Sequence, residues 1–225
     1  MRKATRQVWV GDVPMGGGAP ISVQSMTNTD TRDVSATLKQ IEALASAGCH
    51  IVRVAVPDEQ AAQALFSLVK HSGVPLVADI HFDHRLALTA LEAGVHKLRL
   101  NPGNIRDERR VLEVVKAAQE RKVPIRIGVN SGSISKPLLE RYGRTATAMV
   151  ESALEHVAIF ERLNFQDIVI SVKATDIDLT VEAYEQLSRR VPYPLHLGIT
   201  EAGTAWFGTI KSAAGLGALL SRGLG

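Results

Sequence analysis

The sequence predicts a parallel α/β fold, a TIM-type barrel, on three observations. Seven times in 225 residues a short β-branched run ends in a polar or charged residue and passes into a helical pattern. Those strand ends read QSMTNT, VRVAVP, VADIHF, LRLNPGN, RIGVNSG, SVKATD and GITEAG. The runs are rich in Val and Ile, as strands covered on both faces require. The connections are brief, as crossovers between neighbouring parallel strands allow.

Each element has a local reason. Gln7 to Gly18 reads as a hairpin able to plug the bottom of a barrel. Its triple glycine is turn chemistry, because no helix follows to complete a phosphate loop. Pro20 to Thr27 is the first strand. In the helix from Asp33 to Gly48, Asp33 can cap the start, Leu38, Ile41 and Leu44 share a face, and Gly48 ends it. Ile51 to Val56 is the second strand, and Asp58 opens a helix to about His71. Leu76 to Phe82 is the third, with Asp83 starting a short helix that stops at Gly94. Lys97 to Leu100 is the fourth, followed by a helix from Arg106 to Arg121. Pro124 to Val129 is the fifth, and Leu138 to Leu163 is helical with a break near Tyr142 and Gly143. Asp167 to Val172 and Leu195 to Ile199 are the sixth and seventh, with helices at Leu179 to Arg190 and Thr204 to about Leu220. A closed barrel of this kind has eight strands. The eighth is missing from this reading, so residues 1–225 are expected to form one truncated barrel domain with no internal boundary.

Composition narrows the function. The apolar fraction of 45% and the length suit a single buried core. A net charge of +3 gives no ground for nucleic acid or a membrane surface as partner. No apolar run approaches the ~20 residues of a membrane span, and the basic N-terminus lacks a secretory apolar core. The expected location is cytoplasmic. Cys49 is the one cysteine, so it can form no internal disulfide and can hold no zinc or iron–sulfur cluster by itself.

In a βα barrel the strand C-termini converge on the face that carries the active site. Side chains alternate along a strand, so parity tests which polar residues share a face. Asp79 and His81 are in phase, as are Lys97, Arg99 and Asn101, then Arg126, Gly128 and Asn130, then Ser171 and Lys173. Arg53 is in phase with Ile51 and Ala55. A charge inside an apolar strand is costly unless paired or solvated, and four strands carry such a cation. Two readings stay open: structural ion pairs with Asp79, Glu201 or loop carboxylates, or a pocket for a di-anionic group. Asp79 and His81 find no third ligand, so no metal site is read in this chain. His196, between Leu195 and Leu197, reads as structural. Glu201 suits a general acid, or equally a carboxylate favoured by a helix N-terminus.

The ordered strings PISVQSMTNTDT, IVRVAVP, PLVADIHFD, LRLNPGNI, PIRIGVNSGS, SVKATD and PLHLGITEAG resemble the N-terminal barrel of the 4-hydroxy-3-methylbut-2-enyl diphosphate synthase family, from about Arg2 to Gly225. The resemblance implies an iron–sulfur oxidoreductase of the non-mevalonate isoprenoid route. Such an enzyme reductively opens and dehydrates 2-C-methyl-D-erythritol 2,4-cyclodiphosphate. It further implies a homodimer, flavodoxin or ferredoxin as electron donor, and a [4Fe–4S] cluster on three cysteines and a glutamate of a C-terminal domain that this chain lacks. Arg53, Arg99, Asn101, Arg126, Asn130 and Lys173 are then assigned to the diphosphate, and Glu201, His81 and Asp79 to catalysis, with Glu201 the first choice of proton donor and His81 the second. Two alternatives remain: a pterin-binding transferase barrel of the dihydropteroate synthase kind, and a non-catalytic substrate-binding fragment inactive alone.

Overall fold

The computed structural model describes residues 2–81, 83–100 and 108–225. A hairpin opens the chain, β1 (Gln7–Val10) against β2 (Val13–Gly16), in antiparallel register from Gln7↔Gly16 to Val10↔Val13. Its turn falls between β1 and β2, so the glycines at 16, 17 and 18, all at positive φ, lead the chain out of the hairpin rather than close it. Then strand and helix alternate: β3 (Gln24–Met26), α1 (Val34–Ser46), β4 (Ile51–Ala55), α2 (Glu59–His71), β5 (Leu76–Asp79), α3 (His84–Glu92), β6 (Lys97–Leu100), α4 (Glu108–Glu120) and β7 (Ile125–Asn130). After a 3₁₀ turn come α5 (Lys136–Tyr142), α6 (Ala146–Arg162), β8 (Ile168–Lys173), α7 (Ile177–Arg190) and α8 (Ala205–Ser221).

The strands from β3 to β8 form one parallel sheet in sequence order, six strands in all among the described residues. The expected seventh strand is reduced to a single bridge, Ile170↔Leu195. The 194–200 stretch still runs beside β8: His196 donates its backbone N–H to Ile170 at 2.8 Å and Thr200 to Ala174 at 3.3 Å. The sheet is thus a curled half-barrel with a loosely paired continuation. The expected break near Tyr142 is real, with Gly143 at φ +66° separating α5 from α6.

Aspartates start the helices. Asp33, Asp58, Asp83 and Asp176 each accept a backbone N–H from the first turn, at 2.7 to 3.0 Å. Each such cap contributes about 1 kcal/mol and places the chain reversal at the C-terminal end of a strand. The strand faces then separate two kinds of interior. Val52, Val54, Leu76, Ala78, Leu98, Leu100, Ile125, Ile127, Ile168, Ile170 and Val172 face the helices in one apolar core. Opposite, Ile51, Val77 and Val169 form a single apolar layer against Val8, Val10 and Met15 of the hairpin. The hairpin therefore plugs the bottom of the sheet. Val/Ile richness reports only the outer face; above that one layer, the inner face is polar and basic.

Candidate anion site at the C-terminal ends of the strands

The residues that alternation turns inward meet where parity predicted. Register aligns Asp79 with Arg99, and Arg99 with Arg126, across β5, β6 and β7. Arg99 Nη1 donates to Asp79 Oδ1 at 3.1 Å, and Arg53 Nε lies 3.8 Å from Asp79 Oδ2. His81 Nε2 stands 3.4 Å from the same carboxylate and 3.1 Å from Arg99 Nη1. Asp79 is 5% exposed, Arg99 8%, Arg126 2% and Lys97 0%. Arg53 also donates to Met26 Sδ at 2.8 Å, a weak acceptor for a guanidinium.

The charge does not balance. Arg53, Lys97, Arg99, Arg126 and Lys173 supply five basic side chains from β4, β6, β7 and β8, and Asp79 is the carboxylate that faces them. Arg99 Nε and both Nε and Nη1 of Arg126 are buried with no hydrogen-bond partner among the described residues. Buried donors of this kind cost free energy until something accepts from them. Their pKa values record the same strain. Burial, then Arg53 and Arg99, lowers Arg126 to about 9. Burial, then Arg126, Arg53 and Arg99, lowers Lys173 to about 7. Lys97 is driven well below the usual lysine range, by burial first and by Arg126 and Arg53 next. Its Nζ rests on Gln24 Oε1 at 2.9 Å.

Sequence reasoning gave several members of this cluster no site role. Gln24 and Lys97 meet below the arginines, Met26 stands in register with Arg53, and Lys97 shows as a lysine in phase with Arg99. His196, read as structural, lies against the same cations. Burial and then Arg126, Lys173, Lys97 and Arg53 hold its imidazole neutral, and its carbonyl accepts from Tyr184 Oη at 2.5 Å. Gly128 lies under the Arg99 guanidinium. A glycine inside a strand pattern signals such a close approach.

The other expected residues are placed differently. Asn130 ends β7 in register with Lys173, its N–H donating to Ser133 Oγ at 3.0 Å. Glu201 is exposed at the rim, one residue past the Thr200 that pairs with Ala174, and adopts φ +50°. Asn101 lies outside the described residues. A cavity of about 350 Å³ opens beside the cluster, lined by Ala55, Pro57, Asp79, His81, Asp83 and Leu86 among others. A second, of about 270 Å³ and mainly apolar, lies between β3 and the 194–197 stretch.

These residues do not fit an iron–sulfur cluster. Cys49 is the one cysteine, half-buried between α1 and β4 and remote from the strand C-termini. Among the described residues, no group of three or more His, Cys, Asp or Glu side chains converges.

Residues 5–225 match the family model described as the GcpE TIM-barrel domain. The chain belongs to the GcpE family. This GcpE barrel is 62% identical over 226 residues to the 4-hydroxy-3-methylbut-2-en-1-yl diphosphate synthase (flavodoxin) of Geobacter sulfurreducens, covering all of this chain and 64% of that protein. It is 62% identical to the enzyme of the same name from Magnetococcus marinus, covering 61% of it, and 58% to that of Anoxybacillus flavithermus, covering 62%. The chain thus spans less than two thirds of these relatives. Among solved structures, it resembles the Yersinia pestis dihydropteroate synthase (TM-score 0.67, 12% identity, 97% of this chain and 89% of that one). It also resembles an N-acetylneuraminic acid synthetase from Leptospira borgpetersenii (TM-score 0.66, 14% identity, 95% and 75%). At such identity these structures establish the barrel fold alone.

Proposed function

We propose that this GcpE barrel binds a cyclic diphosphate and supplies the substrate site of a 4-hydroxy-3-methylbut-2-enyl diphosphate synthase. The substrate is 2-C-methyl-D-erythritol 2,4-cyclodiphosphate, and the reaction is its reductive ring opening and dehydration. One observation carries the reading: Arg53, Arg99, Arg126 and Lys173 crowd together at the C-terminal ends of the strands, Asp79 pairs with Arg53 and Arg99, and guanidinium donors are left without a partner among the described residues. A diphosphate supplies the missing negative charge and acceptors. The name of the 62% identical relatives supports the substrate class.

Arg53, Arg99, Arg126 and Lys173, with Asn101 and Asn130, hold the diphosphate in this proposal. Asp79 ties Arg53, Arg99 and His81 into one array. Ring opening breaks a C–O bond and leaves negative charge on a diphosphate oxygen; cations already aimed there stabilise it by roughly 3 kcal/mol per well-placed donor. Two electrons and one proton enter, one water leaves, and the diphosphate keeps the added negative charge. Glu201 at the rim gives a proton to the departing hydroxyl, with His81 second in line. A [4Fe–4S] cluster, on ligands outside this chain, would supply the two electrons, drawn from flavodoxin, named by the relatives, or ferredoxin. The chain alone is then inactive. A homodimer is part of the proposal, supported by Trp206, Phe207 and Ile210, which α8 exposes to solvent in one apolar patch. No described helix is long and apolar enough to cross a membrane; a cytoplasmic location is part of the proposal.

Calorimetric titration of the full-length protein with the cyclodiphosphate tests this, with dihydropterin diphosphate as control. Binding of the cyclodiphosphate alone is expected, weakened at least tenfold by Arg99→Ala. A folded protein that binds only the pterin, or neither, overturns the proposal.

A further inference from the structure

Lys173 owes its position to a missing side chain. Carrying the Ile170↔Leu195 bridge three residues onward sets Lys173 beside Gly198. A Cβ built on Gly198 would stand 2.8 Å from Lys173 Nζ, 3.0 Å from Cε and 3.5 Å from Cδ. The end of the lysine therefore lies flat on the Gly198 backbone, inside the volume that any other residue would fill. Gly198 does not adopt a positive φ, so its backbone does not require glycine. No other group lies among the three nearest atoms, and the end of a lysine is flexible. A methyl group here costs the fold little but displaces the ammonium. Gly128 repeats the arrangement more loosely, with Arg99 Nε 3.2 Å from an added Cβ.

We propose that Gly198 is a positioning residue: by leaving the space beside β8 open, it holds the Lys173 ammonium flat across the 194–200 stretch, among the arginines, where the diphosphate binds. This rests on the proposed anion site and adds what sets its geometry. A cation held on a fixed seat loses less conformational freedom on binding than one that must find its place.

The test is a double-mutant cycle on the full-length protein, read as the dissociation constant of the cyclodiphosphate. Gly198→Ala is expected to weaken binding about tenfold, as Lys173→Ala does, the loss of one charge-assisted hydrogen bond. In the Lys173→Ala background, Gly198→Ala should change nothing further, because its partner is gone. Gly128→Ala should weaken binding less than Gly198→Ala. If Lys173→Ala leaves affinity unchanged, the assignment of Lys173 to the anion fails. If Lys173→Ala weakens binding and Gly198→Ala does not, or weakens it equally in both backgrounds, the positioning role fails. Should Gly198→Ala alone not fold, the double variant decides: its recovery confirms the contact, and its failure to fold overturns it.

Discussion

At the scale of single residues, the candidate site is an electrostatic imbalance. Asp79 accepts from Arg99 and stands near Arg53 and His81, and beyond it no described acid faces Arg126 or Lys173. Lys173 makes this measurable. Its folded pKa of about 7 lies below the usual 10.5, so between those values the unfolded chain binds more protons than the folded one. The contribution of this group to stability therefore rises with pH across that window. Ligand binding runs the other way. In the proposed complex the diphosphate returns Lys173 to its charged form, so binding is expected to take up a proton above pH 7 and affinity to fall as pH rises. Calorimetry of the full-length protein at pH 6.5 and 8.5, in buffers of different ionisation enthalpy, should show a several-fold weaker affinity at the higher pH. Lys173→Met should flatten that slope; an unchanged slope assigns it to another group. Glu201 is proposed for a different step. Glu201→Gln is expected to lower kcat by about 100-fold or more with the dissociation constant nearly unchanged, and a normal turnover rate removes the proton-donor role.

At the scale of elements, the helices and the plug have separate duties. Aspartate caps on α1, α2, α3 and α7 place chain reversals at the C-terminal ends of the strands. The hairpin works from the opposite end. Val8 and Val10, buried at 2% and 0%, close the bottom layer formed by Ile51, Val77 and Val169. That layer keeps water from reaching the basic interior from below. Val10→Ala should cost about 2 kcal/mol of unfolding free energy, from lost apolar burial and the cavity left behind. Because Val10 packs in the apolar layer with Ile51, Val77 and Val169, ligand affinity should remain within a factor of about two. Urea denaturation and calorimetry on the same variant separate the two effects, and a parallel fall in affinity contradicts this division.

At the scale of the whole molecule, the parallel sheet is open. Ile21, Val23 and Leu220 are 46%, 51% and 41% exposed around the apolar cavity between β3 and the 194–197 stretch. Unpaired strand edges with apolar neighbours recruit other chains. Prepared by itself, the 225-residue chain is expected to self-associate at micromolar concentration. Sedimentation velocity reads this directly, and a monomer with a single cooperative unfolding transition contradicts it.

Much of this was legible in the sequence, because alternation and capping are local. The strand-to-helix rhythm, the aspartate caps and the parity of Arg53, Asp79, Arg99, Arg126 and Lys173 follow from backbone geometry, which each segment carries within itself. The seventh strand was not legible. Leu195 to Ile199 has the composition of a strand, but pairing depends on a neighbour across space, and here only Leu195 makes a bridge. Nor could parity say that Arg126 would be left with unpartnered donors, or that Lys173 would rest on Gly198. The residue types alone determined a basic barrel mouth; the tertiary structure decided which charges are compensated. That balance depends on distances between strands far apart in the chain, and on the burial that strips each group of water.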